Sequence, residues 1–225
     1  MLELIPIALF GVICAVLSHK FSGYDPIEGN YLRKERLWYM VMSIGLILFA
    51  GLRTWYNDTG TYRQNYDVFI SADTDVIHGI DWLKIGENPA FIATQTLMKR
   101  WGVSTQSFIM IFSVFTIGGQ LWFIRKYSCN IWLSVLLFIT FAGFTLNLAA
   151  IKQCTAMTLC LIGTDRVINK KYFRFVIYVM VASLFHPYAL MYLAVPFLFF
   201  RPWSKYTLIM LVVFGIIGFG LEKLL

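Results

Sequence analysis

One stretch dominates what this chain can become. Residues 172–200 form a 29-residue apolar run whose only full charge is Arg174, with His186-Pro187 near its middle. A soluble core scatters its apolar residues at helical spacing instead of massing them in this way. A bilayer core is about 30 Å thick and takes roughly 20 apolar residues per helix, at about 1.5 Å each. Comparable runs cover residues 2–18, 37–52, 107–124, 131–150, 153–168 and 206–221. Hydrophobic residues make up 59% of the chain and charged ones 14%, against about half and a quarter in soluble domains. The expectation is an all-α, polytopic transmembrane helical bundle of about seven spans. The first run carries Glu3 and no preceding Lys or Arg, so it lacks the basic region of a cleaved signal peptide and reads as a retained span.

The formal charge of +7 sits mainly in short clusters beside apolar runs. That distribution sets membrane orientation and argues against a nucleic-acid surface. The clusters are Lys20, Arg33, Lys34 and Arg36; Arg125 and Lys126; Arg166, Lys170, Lys171 and Arg174; Arg201 and Lys205. Together they hold 12 of the 19 basic residues. Short loops rich in Lys and Arg stay cytoplasmic. All four clusters then lie inside if the chain turns at His186-Pro187, because residues before proline disfavour the helical region. The competing geometry is one long tilted or kinked helix over 172–200.

Three regions follow: two spans in 1–53, an extracytoplasmic segment 54–104, and the remaining spans in 105–225. The middle segment carries six acidic residues, Asp58, Asp67, Asp73, Asp75, Asp81 and Glu87. Its many aromatics suit the membrane interface. Asn88-Pro89 reads as a helix start, with a short amphipathic helix over 90–101. The cysteines Cys14, Cys129, Cys154 and Cys160 lie in or beside apolar runs without metal-ligand spacing, so they read as small apolar residues and no metal is expected. No nucleotide-binding glycine loop or nucleophile elbow is present.

Ionisable residues inside spans are costly and tend to mark function. Arg53 lies 17 residues beyond Arg36, roughly 25 Å along a helix; Lys152 lies 14 before Arg166, roughly 21 Å; His186 lies 12 after Arg174, roughly 18 Å. All three fall in the outer half of the membrane on this arithmetic. Each has a plain structural reading: Arg53 as a snorkelling anchor, Lys152 as an outer-loop residue, His186 as a satisfied core histidine. Taken together they describe an outward-facing cationic pocket. Arg53 offers a bidentate fork and Lys152 a point charge to a phosphate or pyrophosphate. His186 can serve as a general base. Asp58, five residues past Arg53, can orient a sugar hydroxyl or pair with Arg53.

The motifs resemble those of a known family. Gly51-Leu52-Arg53-Thr54-Trp55-Tyr56-Asn57-Asp58-Thr59-Gly60-Thr61-Tyr62 resembles the arginine–aspartate–tyrosine motif of the EpsG-type bacterial exopolysaccharide and capsule polymerases, which are related to the Wzy group. Glu87-Asn88-Pro89-Ala90-Phe91 resembles the family's glutamate–proline–aromatic segment. Asn147-Leu148-Ala149-Ala150-Ile151-Lys152-Gln153 resembles its asparagine…arginine–glutamine motif, with Lys152 where arginine is usual. Phe185-His186-Pro187 resembles its phenylalanine–histidine motif. The resemblance implies a GT-C-like bundle in the bacterial cytoplasmic (inner) membrane, with its site facing outward. It implies glycosyl transfer that joins oligosaccharide repeat units carried on undecaprenyl pyrophosphate, without a cofactor. Arg53, Lys152, Gln153 and Tyr62 would then hold the pyrophosphate or substrate, and His186 or Asp58 would activate the acceptor hydroxyl. A chain-length regulator and a flippase of the same pathway are the implied partners, alongside membrane lipids. Family members usually carry more spans, so the expectation is a C-terminally truncated fragment, a shortened member or an inactive relative. The competing reading is a non-catalytic membrane component, or a transporter of lipid-linked sugars. A transporter should carry polar residues along a path across the membrane; here they are expected to cluster on the outer half, with the inner half of each span apolar, which counts against transport.

Overall fold

A computed structural model describes residues 4–25, 30–73, 75–200 and 204–224. The described chain is helical apart from one short antiparallel ribbon, which the all-α expectation did not include. Its strands are β1 (Gly23–Asp25) and β2 (Asn30–Arg33), with Tyr24 opposite Tyr31 and Asp25 opposite Asn30. The chain divides into two compact units: 1–69 with 103–151, and 70–102 with 152–225.

In the first unit, α1 (Leu4–Phe21), α2 (Leu37–Gly51) and α6 (Thr105–Tyr127) pack with α7 (Ile131–Thr140) and α8 (Gly143–Ala149). Their shared core includes Ala15, Met42, Leu46, Ile117, Leu121, Val135 and Leu148. Helices in lipid gain little from apolar burial, so close approach through small residues matters. Gly45 on α2 allows this, since a Cβ there would overlap the Phe10 ring of α1. Leaving the bundle, α3 (Thr59–Gln64) runs into a π-helical turn, Asn65–Phe69.

The fourth apolar run does not form one straight span. Its two helices are bent by 45° at Phe141-Ala142. Ala142 takes a left-handed conformation (φ 62°), and a Cβ on Gly143 would stand 2.8 Å from the Phe138 carbonyl oxygen. Only glycine fits that close approach.

The second unit holds α4 (Asp75–His78), α5 (Pro89–Arg100), α9 (Ile151–Ile168, from Lys152 on), α10 (Tyr172–Ser183), a 3₁₀ helix Pro187–Ala194, α11 (Val195–Phe200) and α12 (Lys205–Leu224). The stretch 172–200 breaks where proline predicts. His186 is extended (φ −158°, ψ 123°), and the 3₁₀ helix returns along α10. Leu193 and Val195 thereby reach the cluster of Val167, Phe175 and Val179. At 12 residues, α10 is roughly 18 Å long, short of the thickness of a bilayer core.

Among the described residues, Leu4–Phe21 and Thr105–Tyr127 are long and apolar enough to cross a membrane, and the bent α7–α8 pair makes a third if it is one span. Leu37–Gly51, Tyr172–Ser183 and Pro187–Phe197 are shorter apolar helices. The fold is that of a helical membrane protein.

Candidate functional site

Arg53 stands just past the end of α2 and is only 8% exposed. A buried guanidinium is costly unless its N–H groups find acceptors. Its Nε donates to the Thr59 hydroxyl at 3.0 Å, and Nη1 donates to the Ser113 hydroxyl at 3.2 Å and to the Ala50 carbonyl. Thr59 in turn donates to the Leu148 carbonyl at 3.3 Å. Across the turn, Nε meets Thr59 and not the Asp58 carboxylate that sequence spacing offered. Asn57, at φ 42°, reverses the chain so that Asp58 leads into α3, where it is exposed and leaves the helix uncapped by its side chain. Tyr62 is half-buried on the same helix, and its backbone N–H donates to the Asp58 carbonyl at 2.9 Å.

Three residues that charge-based reading passes over organise this cluster. Gln106, Ser113 and Gln120 are seven apart on α6, so they share one face. Gln106 donates to the Gly51 carbonyl at 2.6 Å and accepts from Arg63 at 2.8 Å. Ser113 receives Arg53. Gln120 exchanges amide hydrogen bonds with Asn147 of α8 at 2.7 and 3.3 Å. Asn147, the first residue of the asparagine…glutamine motif, is therefore bound into helix packing and is 3% exposed. The seven-residue spacing of polar side chains in an apolar run was the available signal.

The second unit gathers three of the motifs. Lys152, in the first turn of α9, is half-buried with its Nζ 5.9 Å from the centre of the Phe91 ring, within the range of a cation–π contact. The Ala90 N–H donates to the Leu184 carbonyl at 3.1 Å, tying the start of α5 to the end of α10, beside His186. The His186 ring, two residues beyond Leu184, lies 5.2 Å from the Tyr188 ring. Thus the Glu87–Phe91 segment, Lys152 and Phe185-His186-Pro187 converge. Gln153 is exposed. Asn88, left-handed at φ 56°, delivers Pro89 to the first turn of α5, as its sequence predicts.

The arrangement offers a buried, hydrogen-bonded arginine, then an aspartate and a tyrosine one turn from each other at the start of α3, and in the second unit a lysine and a histidine held on converging segments. These are groups for binding anions and for moving a proton. Among the described residues no cluster of three or more His, Cys, Asp or Glu side chains could hold a metal ion. Neither curated proteins nor solved structures provide a match to this chain. A protein-family model does: that of the EpsG family matches residues 36–225. The match takes in all four motifs and most of the chain, so the protein whose motifs fold into these two clusters belongs to the EpsG family.

Proposed function

We propose that this protein polymerises lipid-linked oligosaccharide repeat units into exopolysaccharide or capsule, at the outer face of the bacterial cytoplasmic membrane. Family membership supports a polysaccharide-related polymerase. The observation that carries the finer reading is the convergence of Lys152, Phe91 and His186, together with the buried seating of Arg53.

In this reading Lys152 of the second unit, with Gln153 beside it, binds the pyrophosphate of an undecaprenyl-linked donor, and Arg53 and Tyr62 are the anion- and substrate-binding groups of the first unit. The anomeric carbon–oxygen bond to pyrophosphate breaks, and the acceptor hydroxyl oxygen forms the new glycosidic bond. His186, or Asp58, takes the acceptor proton. The leaving pyrophosphate carries the bonding electrons, and the cations offset its charge. The helices are proposed to form about seven spans in a GT-C-like bundle, with 54–104 outside between spans two and three. A chain-length regulator and a flippase are the proposed partners.

The test is complementation. In a polymerase-deficient host of the same pathway, the gene should restore long polymer on a silver-stained gel. Arg53→Ala and His186→Ala should each leave single repeat units, with protein levels unchanged. Wild-type polymer from the double variant would remove these residues from the site. A non-catalytic assembly component would tolerate both changes.

A further inference from the structure

At the opposite end of the first unit's helices lies a cavity of about 830 Å³, lined by Phe21, Lys34, Glu35, Arg36, Leu37 and Arg125. It sits where α1 ends, α2 begins and α6 ends. Its charge is unbalanced. Glu35 is the one acid, and its carboxylate accepts the backbone N–H groups of Leu37 and of Trp38, the latter at 3.0 Å. It caps α2 in this way. Lys34, Arg36 and Arg125 supply three cations.

Two of these cations are fixed by the backbone. Arg125 donates through Nη1 to the Glu35 carbonyl at 2.7 Å and through Nη2 to the Lys34 carbonyl at 3.2 Å, with its guanidinium 5.0 Å from the Tyr39 ring centre. Lys34 donates back to the Arg125, Lys126 and Ser128 carbonyls, so it contributes its charge to the cavity rather than a further N–H. The loop and the end of α6 are thus latched reciprocally, and each Arg125 Nη keeps a second N–H. Burial and the neighbouring Arg125 push the Lys34 ammonium below its ordinary pKa, a cost that a bound anion would offset.

The apolar walls have a direction. Phe21 is 60% and Leu37 65% exposed. On α1, exposed Ile5, Leu9, Ile13 and Val16 form a stripe leading toward the cavity; on α2, exposed Ile44, Leu48 and Leu52 form another leading away from Leu37. A ligand that matches has an anionic head and two apolar tails.

We infer that this cavity is a binding site for an anionic phospholipid headgroup, a glycerol phosphodiester held by Arg36 and Arg125 beside the charge of Lys34, with its acyl chains along α1 and α2. Basic pockets between membrane helices suit such headgroups. This site is independent of the polymerase reading.

Native mass spectrometry of the full chain, released from nanodiscs containing equal phosphatidylglycerol and phosphatidylcholine, tests it. The wild type should retain phosphatidylglycerol preferentially. Arg36→Gln, which removes an exposed cation, should cut that preference about fivefold, and Lys34→Gln should add a similar loss. Lys171→Gln, outside the cavity, should leave it unchanged. Added inorganic phosphate should compete weakly, because it has no tails. Equal retention of the two lipids by the wild type, an unchanged preference in the Arg36→Gln, Lys34→Gln double variant, or full competition by inorganic phosphate would each overturn the inference.

Discussion

Arg53 and Asn147 illustrate how differently two polar residues inside one helical unit behave. Arg53 is a buried cation with hydroxyl and carbonyl partners, without which its burial would cost free energy. Asn147 is buried just as deeply, yet its amide is matched by Gln120. Removing one partner of such a pair leaves a buried polar group unsatisfied, at about 1–3 kcal/mol. Gln120→Leu and Asn147→Leu should each lower the melting temperature in detergent, and the double change should cost less than the two single changes together. Additive losses would mean that the pair is not coupled. Gln120 lies only five residues before Arg125 at the far end of α6, so polar side chains are not confined to the end of the bundle that holds Arg53. Here, though, they close on each other across α6 and α8, binding two helices together. Charge made Arg53, Lys152 and His186 legible in the sequence. Gln106, Ser113 and Gln120 were less visible, because uncharged polar groups in an apolar run draw notice only through their seven-residue spacing.

Among the elements, the apolar runs were readable to within a few residues: α2, α6, α9 and α10 fall where hydropathy puts them. The break at His186-Pro187 was also readable, since proline disfavours a helix at the preceding residue. The bend at Ala142 was not, because no proline marks it. It rests on a left-handed alanine and on the close approach of Gly143 to Phe138. Gly143→Ala should destabilise the folded protein by about 1–3 kcal/mol through overpacking at that contact, read as earlier loss of helical circular dichroism on heating. A neutral substitution would show that the bend has room to relax. The ribbon β1–β2 is also beyond hydropathy: each strand is only three or four residues long, too short for an alternating pattern to register.

At the scale of the whole molecule, the positive-inside rule applied to the basic clusters, with a turn at His186, predicts one topology. Lys171 and Ser204 flank the broken apolar stretch, and Asp58 is exposed just beyond α2. In a cysteine-free background, cysteines at 171 and 204 should resist a membrane-impermeant maleimide in intact cells and react after permeabilisation. A cysteine at 58 should react in both. Labelling at 204 from outside, with 171 protected, would make 172–200 a single crossing and reverse the side of Arg201 and Lys205.

The central claim is that the lysine–histidine cluster of the second unit acts on a pyrophosphate-linked donor. Its most direct measurement uses the purified chain in proteoliposomes, supplied with lipid-linked oligosaccharide extracted from a polymerase-deficient host. The wild type should convert single repeats into a ladder of polymer. Lys152→Arg, which restores a fork for phosphate, should retain activity, while Lys152→Ala and His186→Ala should lose it at least about 100-fold, the low end for a general acid–base group. A full ladder from Lys152→Ala and His186→Ala, at equal amounts of folded protein, would contradict the account.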